Sequence, residues 1–205
     1  MKNIALILGT ILFAPFAVQA GTSITGSLWH VPEAITFSAI PANIPGTTPD
    51  VTFSVDSSAI NLSGTSVSVG AWLASGGATS IIENTAGTLG SLMDDGTTGT
   101  IVEFTGIARV SNGDLFTFTH DDGMTLIIGG TNLGFSSGPT SPFAESHIYT
   151  GPSGDFPFQL VYAECCGGPA VLSGSIPAVP EPGSYAMLLA GLSLLGFMAH
   201  RKKYA

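Results

Sequence analysis

The segment FTFTHDDGMTLIIGG, residues 116–130, decides the predicted fold. At its start, two phenylalanines alternate with threonines, which is the period-two pattern of a half-buried β-strand. A second β-prone run follows at residues 125–128, and Asp121-Asp122-Gly123 lies between the two runs. We interpret this tripeptide as a turn, because glycine readily adopts the positive φ that a tight reversal often needs. The segment therefore predicts a β-hairpin with two adjacent carboxylates at one end of a sheet.

Asp121 and Asp122 are neighbours in the chain, and ionised carboxylates this close together repel one another. The repulsion is small only if both groups are solvated or if a cation lies between them. A second Asp-Asp-Gly at residues 94–96 shows that the tripeptide also occurs as ordinary turn chemistry. The residues alone leave two interpretations open, a metal site and a plain turn.

Outward from this segment, the chain is a series of short β-prone runs separated by Gly, Pro, Asn and Asp. Only 9% of residues are charged, and the charged patterns of long helices are missing from the middle of the chain. We predict an all-β protein with one antiparallel β-sandwich domain at residues 21–178. Strands are predicted at residues 24–31, 34–40, 51–55, 65–73, 100–110, 156–164 and 171–176, and a long loop at residues 131–147.

The charge of the predicted domain is strongly acidic. Between residues 21 and 178 there are thirteen acidic side chains and one basic side chain, Arg109, which gives a formal net charge of −12. Such a surface repels nucleic acid and anionic lipid, so no nucleic acid partner is expected. It suits an exported domain and attracts divalent cations, although an acidic balance also serves solubility alone.

The N-terminus predicts a targeting segment. Lys2 is followed by an apolar run at residues 4–13, and the small residue Ala20 ends a plausible cleavage site. This layout is typical of a secretory signal peptide, a signal helix at residues 1–20 that is cleaved after Ala20. The alternative is an uncleaved anchor.

The C-terminus predicts a second targeting segment at residues 179–205. Pro180, Glu181 and Pro182 form a rigid extended stretch, because proline fixes φ and removes a hydrogen-bond donor. An apolar run at residues 185–199 and a basic cluster at residues 201–203 follow. This order predicts a hydrophobic, short transmembrane helix whose basic end lies in the cytoplasm. The run is shorter than the ~20 residues of a full span, which suits transient insertion.

These three parts, in this order, resemble the PEP-CTERM sorting signal of Gram-negative bacteria, over residues 176–205. The resemblance implies export by the general secretory route, transient retention in the inner membrane, and processing by an exosortase near the Pro-Glu-Pro stretch. It also implies a final place at the cell surface or in the extracellular matrix, in association with exopolysaccharide and biofilm. A plain C-terminal anchor is the alternative.

Residues 100–176 carry a second resemblance. A strand leads into Asp-Asp-Gly and LIIGG, a variable loop follows, and FPFQLVY then leads through a Gly-rich loop to AVL. This order is similar to the protective-antigen-type, flocculin-like β-sandwich domain of bacterial toxin components, yeast flocculins and some β-glucosidases. In lectin-like members, an Asp-Asp pair joined by a cis peptide binds calcium, which in turn holds sugar hydroxyls.

The resemblance implies a calcium site at Asp121 and Asp122, with a second calcium loop at residues 164–168. Glu164 and backbone carbonyls are the oxygen ligands that this loop offers. The chain departs from the family at two places. Gly129-Gly130 stands where many members have Asp-Gly, and Cys165-Cys166 stands where sugar-binding members have Asn or Asp.

Cys165 and Cys166 are the only cysteines, and they are adjacent. In an oxidising compartment they can form a vicinal disulfide, remain thiols, or pair with another chain. We favour the vicinal disulfide, which stiffens the loop. A catalytic thiolate is poorly supported because no basic residue lies nearby in sequence.

No catalytic motif is present in the sequence, and adjacent turn carboxylates do not face one another across the ~5–10 Å that glycoside hydrolysis needs. We therefore expect no enzymatic activity. The function predicted is a calcium-assisted carbohydrate-binding module that binds polysaccharide, and the alternative is a structural envelope or matrix protein without a ligand site. His120 is expected to be a hydrogen-bonded histidine of an edge strand. Residues 21–99 hold no motif that indicates a function.

Overall fold

The computed structural model describes residues 23–179 and 191–193. The first of these ranges forms two antiparallel sheets that pack face to face, so the predicted all-β sandwich is confirmed. Eleven strands are present in the described residues: β1 (Ser23–Pro32), β2 (Val51–Asp56), β3 (Ile60–Gly64), β4 (Thr79–Glu83), β5 (Thr98–Val110), β6 (Leu115–Asp121), β7 (Met124–Ile128), β8 (Thr131–Asn132), β9 (Phe143–Ile148), β10 (Gly154–Glu164) and β11 (Ala170–Gly174). Two α-helices, α1 (Glu33–Thr36) and α2 (Val69–Ser75), and three short 3-10 turns at Pro41–Asn43, Ser57–Ala59 and Thr88–Gly90 connect them.

The larger sheet has seven strands in the order β4-β2-β1-β5-β10-β7-β8, and the smaller has four in the order β3-β11-β6-β9. The main core lies between the sheets, where alternate side chains of each strand point inward. Phe53 and Phe104 meet there edge to face at 5.6 Å between ring centroids. A second, smaller apolar cluster covers the outer face of the large sheet, around Trp29 and Ile101. Because β10 is covered on both faces near its end, every residue from Leu160 to Glu164 is buried.

The predicted hairpin at residues 116–130 is wrong. Strand β6 belongs to the small sheet and pairs with β9 and β11, whereas β7 belongs to the large sheet and pairs with β10 and β8. Asp121-Asp122-Gly123 therefore carries the chain from one sheet to the other. Both strands bury one apolar face in the core between the sheets. A hairpin and a crossover therefore give the same alternation of apolar and polar residues in the two strands, and the sequence pattern does not distinguish them.

Gly123 is also needed for a different reason than the one predicted. Its φ is not in the positive region. A Cβ at this position would overlap the carbonyl oxygen of Ser137 and lie 2.5 Å from its carbonyl carbon. Glycine therefore permits the close approach of two backbones.

Two predicted strands are helical in the structure. The first three residues of the segment at 34–40 belong to α1, and the last five of the segment at 65–73 belong to α2. The N-cap of α2, Ser68, accepts a hydrogen bond from the N–H of Ala71 at 3.3 Å. Val69, Trp72 and Leu73 are buried, and their i, i+3, i+4 spacing is that of one helix face. The predicted loop at 131–147 contains β8 and most of β9, while β3 and β4 were not predicted.

The targeting predictions fall almost entirely outside the described residues. This holds for the signal segment with Ala20, for Pro180, Glu181 and Pro182, and for the apolar run at 185–199 apart from the helical residues 191–193. Within the described residues, no helix has the length and apolar character needed to cross a membrane.

Candidate functional site

The Asp pair lies at one end of the sandwich, beside the loop that joins β10 to β11. Asp121 ends β6 and pairs with Val171 of β11, and the peptide bond between Asp121 and Asp122 is cis. A cleft of about 440 Å³ opens here. Its walls are the Asp pair, residues 139–142 and residues 165–169. The structure thus brings the predicted site residues Asp121 and Asp122 next to Cys165 and Cys166.

Asp122 is held by backbone donors from both walls of the cleft. Its Oδ1 accepts a hydrogen bond from the N–H of Thr140 at 3.0 Å, and its Oδ2 accepts one from the N–H of Cys165 at 2.8 Å. The side chain is 3% exposed. Burial raises the pKa of Asp122, and the two N–H groups oppose this because they stabilise the ionised form.

Asp121 is also 3% exposed. Burial, followed by the negative charge of Asp122, raises the pKa of Asp121 to about 7. Arg109 is the one Lys or Arg among residues 23–179, and it pairs with Asp155 at 2.7 Å. Within residues 23–179, no Lys or Arg is among the groups that act on the two carboxylates, and a divalent cation would compensate their charge.

Glu164 lies behind the Asp pair at the end of β10 and is 1% exposed. Its Oε2 is 2.6 Å from the hydroxyl of Tyr162, and the same hydroxyl contacts the backbone carbonyl of Asp121. Burial raises the pKa of Glu164 to about 8; the hydrogen bond from Tyr162 opposes this rise, and the charges of Asp122 and Asp121 add to it. A Cβ at Gly168 would overlap Glu164 Oε1, so the loop closes directly over this carboxyl group.

The sulfur atoms of Cys165 and Cys166 are bonded to each other. Cys165 is buried, whereas Cys166 is exposed and has a positive φ of 65°. The N–H of Cys166 lies 3.3 Å from Glu33 Oε1. Both sulfur atoms lie within 4.8 Å of an Asp122 oxygen. Because they are bonded to each other, they are not thiolate ligands for a soft metal.

Sequence reasoning missed several residues that build the site. Asp94, from the second Asp-Asp-Gly, accepts a hydrogen bond from the N–H of Gly167 at 2.6 Å. Asp95 instead accepts hydrogen bonds within its own turn, from the N–H groups of Thr97 and Thr98. Thr140 contributes only its backbone N–H to Asp122, so no side-chain pattern could reveal it. The repeat of Asp-Asp-Gly was the one available signal for Asp94.

His120 is fully buried and hydrogen-bonded, as expected, but β6 is an interior strand and not an edge. Its Nδ1 donates to the carbonyl oxygen of Asp122 at 2.6 Å, and its Nε2 lies 3.2 Å from Glu145 Oε2. Glu145 also accepts the N–H of Ser136 at 2.9 Å. Glu145 and His120 therefore connect the Asp pair to strand β9 and to the loop before it.

The comparisons with known proteins identify a sorting motif and a shared fold. Residues 178–202 match the PEP-CTERM protein-sorting motif. No curated protein matches the chain in sequence. A PA14 sugar-binding domain from an RTX adhesin is similar in structure, with a TM-score of 0.50 and 18% identity over 75% of this chain and 93% of that one.

Two other solved structures are less similar. The PA14 domain of the MpAFP antifreeze protein has a TM-score of 0.48 and 17% identity, over 80% of this chain and 85% of that one. An anti-sigma factor domain-containing protein from Clostridium clariflavum has a TM-score of 0.42 and 14% identity, over 78% of this chain and 47% of that one. The chain thus carries a PEP-CTERM protein-sorting motif, which follows in sequence a β-sandwich that shares its fold with a PA14 domain.

Proposed function

We propose that this protein is exported to the cell surface or extracellular matrix, where its β-sandwich binds carbohydrate with the help of calcium held by Asp121 and Asp122. The observation that carries the proposal is the buried acid pair, which opens onto a cleft and has no Lys or Arg partner among the residues that the structure describes. The fold shared with a PA14 sugar-binding domain supports the carbohydrate part of the proposal. Binding, without catalysis, is the activity we infer.

The donor set at the cleft fits calcium. Ca²⁺ takes about 6–8 oxygen ligands, from carboxylates, backbone carbonyls and hydroxyl groups. Asp121 and Asp122 provide carboxylates, and Asp122 is already oriented by Thr140 and Cys165. When bound, the cation compensates the two negative charges and offers coordination positions to the hydroxyl groups of a sugar.

The cleft and the surface charge indicate the class of glycan. A volume of about 440 Å³ falls in the range of small-ligand sites, and residues 139, 142 and 169 of its lining are prolines. The domain carries a formal net charge of −12, so acidic polysaccharides are repelled at low ionic strength. We infer a neutral glycan as the ligand.

The sorting motif supports export. A PEP-CTERM motif implies processing by an exosortase, and we infer cleavage near Pro180, Glu181 and Pro182 after transient retention in the inner membrane. Association with exopolysaccharide or biofilm belongs to the same proposal. The mass of the protein recovered from the cell surface, compared with that of the full chain, tests whether this segment is removed.

A structural envelope or matrix protein without a ligand site is the second candidate. The observation that favours it is the composition of the loop at 165–168, which is Cys-Cys-Gly-Gly and offers no carboxylate or amide side chain to the cleft.

A glycan array separates the two candidates. The purified protein is applied in calcium and in a chelator, beside Asp122→Asn and beside Asp155→Asn, which removes the same charge at an exposed position. Carbohydrate binding predicts calcium-dependent signals that Asp122→Asn loses and Asp155→Asn keeps. A folded protein that gives no signal in calcium contradicts the proposal and favours the structural candidate.

A further inference from the structure

Strands β6 and β11 show that the chain leaves the sandwich at the end opposite to the Asp pair. Strand β6 begins at Leu115 and ends at Asp121, so the Asp pair lies at its C-terminal end. Strand β11 runs beside it in the opposite direction, with Val171 opposite Asp121 and Gly174 opposite Phe118. The chain therefore moves away from the Asp pair as it passes along β11.

Two backbone hydrogen bonds fix the point at which the chain leaves the domain. The N–H of Arg109 donates to the carbonyl oxygen of Pro177 at 2.8 Å, and the N–H of Val179 donates to the carbonyl oxygen of Ile107 at 2.8 Å. Val179 is thus attached to strand β5 beside Ile107. We call this position the exit point.

The register of β5 and β10 gives the distance from the exit point to the cleft. Thr100 of β5 is opposite Glu164, where β10 reaches the cleft, and Ile107 is opposite Pro157. Thr100 and Ile107 are seven residues apart, so at about 3.3 Å per residue they lie roughly 23 Å apart along the strand. The exit point and the cleft therefore lie at opposite ends of the domain.

The sequence between the exit point and the apolar run is short. We call residues 180–184 the tether, and the apolar run begins at residue 185, six residues after Val179. At about 3.6 Å per residue, six residues span at most about 22 Å. If the apolar run occupies the hydrocarbon core, the headgroup layer takes about 5–7 Å of that length. The exit point then lies within about 17 Å of the membrane surface.

These two lengths exclude a cleft that faces the membrane. With the cleft turned toward the bilayer, the exit point would stand at least roughly 23 Å from the membrane surface, which is more than the about 17 Å that the tether allows. The charge of the domain acts in the same direction, because a formal net charge of −12 repels an anionic membrane surface.

We propose that the cleft is directed away from the membrane while residues 185–199 hold the chain there, and that its partner is a neutral polysaccharide on the aqueous side. The headgroup of a glycolipid in the same membrane offers the same sugar hydroxyl groups but lies out of reach. The proposal rests on the carbohydrate binding and the membrane retention proposed above. Because the cleft and the tether lie at opposite ends, removal of the tether should leave glycan binding unchanged.

Fluorescence quenching on vesicles measures the orientation. Ser141 lines the cleft, Ser175 follows β11 near the exit point, and both are exposed, so Ser141→Cys and Ser175→Cys are matched sites for one thiol-reactive fluorophore. Cys165 and Cys166 are bonded to each other, so without a reductant they do not react with the label. The full-length chain is inserted into phosphatidylcholine vesicles that carry a quencher on the lipid headgroup. The label at position 175 should lose fluorescence, and the label at position 141 should keep it.

Flotation of the same vesicles separates the two ways in which this experiment can fail. Protein that does not float with the vesicles refutes the membrane retention on which the proposal rests. Protein that floats, with both labels quenched equally or the label at position 141 quenched more strongly, refutes the orientation and leaves membrane retention standing.

Two presentations of one sugar test the partner. The oligosaccharide with the strongest glycan-array signal is used free in solution and as the headgroup of a synthetic lipid. Vesicles that carry the full-length chain should bind the free oligosaccharide with the same Kd as the protein in detergent. The synthetic glycolipid should not compete when it is in the same vesicles, and in separate vesicles it should aggregate the two populations in calcium.

Competition by glycolipid in the same vesicles overturns the proposal, because it shows that the cleft reaches the membrane surface. A folded protein that gives no array signal refutes the proposed carbohydrate binding and, with it, the assigned partner. The quenching measurement then still decides the orientation, since it needs neither calcium nor a sugar.

Discussion

Gly123→Ala is expected to destabilise the protein strongly, although alanine is the smallest possible addition. The new methyl group would overlap the Ser137 carbonyl oxygen and lie 2.5 Å from its carbonyl carbon, where ordinary contacts begin at 3.4 Å. The obstacle is backbone, so it cannot rotate away as a side chain can. The backbone at Gly123 and the backbone at Ser137 must separate by about 1 Å, which is the difference between the 2.5 Å distance to the carbonyl carbon and an ordinary contact at 3.4 Å.

The cost follows from the hydrogen bonds that cross this contact. The Met124 N–H donates to Ser136 at 2.9 Å, the Ala39 N–H donates to Ser137 at 2.8 Å, and the Ala163 N–H donates to Gly123 at 3.0 Å. Each backbone bond contributes about 0.5–1.5 kcal/mol, and overpacking typically costs about 1–3 kcal/mol. We expect the free energy of unfolding to fall by about 3 kcal/mol, which lowers Tm by roughly 6–12 °C in a domain of this size.

Thermal and urea unfolding measure the effect, with Gly138→Ala as the matched control in the same loop. A Cβ at Gly138 finds its nearest atom, the Phe37 carbonyl oxygen, at 4.0 Å, so the control should stay within about 0.5 kcal/mol of wild type. A loss below about 1 kcal/mol in Gly123→Ala, or equal losses in the two variants, would refute the close-approach explanation.

Three further predictions concern pH, the core and the disulfide. Because the folded pKa values of Asp121 and Glu164 are raised to about 7 and about 8, the native state binds more protons than the unfolded state above about pH 4. Urea unfolding without calcium should therefore show stability falling by on the order of 5–10 kcal/mol between pH 4 and pH 8, because each raised value is about three units above its ordinary one and a unit is worth about 1.4 kcal/mol; unchanged stability would contradict the raised values. Trp72→Ala should lower the free energy of unfolding by about 3–5 kcal/mol, since the fully buried ring stacks on Tyr162, and a loss under about 1 kcal/mol would contradict that packing. The peptide with Cys165 and Cys166 should be about 2 Da lighter than its dithiol form, and a mass equal to that of the dithiol form argues against the disulfide bond. Reduction of the disulfide should weaken calcium binding, because the Cys165 N–H orients Asp122.

Local periodicity predicted the fold where strands are half-buried. Strands β1, β2, β5, β10 and β11 lie close to their predicted positions, because one face of each is apolar. The strand prediction was wrong at α2. Val67, Val69 and Ala71 alternate over a short window, which is typical of a strand, whereas the buried residues Val69, Trp72 and Leu73 have helical spacing. Local periodicity also failed to separate a hairpin from a crossover at Asp121-Asp122-Gly123, since both produce the same pattern in the flanking strands.

The candidate site was only partly predictable, for a physical reason. The Asp pair and the Cys-Cys loop were found because their side chains are unusual and adjacent in sequence. Asp94 and Glu33 contact the 165–168 loop from 73 and 133 residues away in the chain, and Thr140 acts through its backbone. Only the folded sheets bring these groups together.

Calcium binding by the Asp pair is the central claim, and isothermal titration of the purified protein tests it most directly. Wild type and Asp155→Asn should bind calcium saturably, and Asp121→Asn/Asp122→Asn, which keeps the side-chain shape, should lose binding. If the folded wild type binds no calcium, or if the double variant binds as tightly as wild type, the Asp pair is a sheet-to-sheet connection and not a metal site.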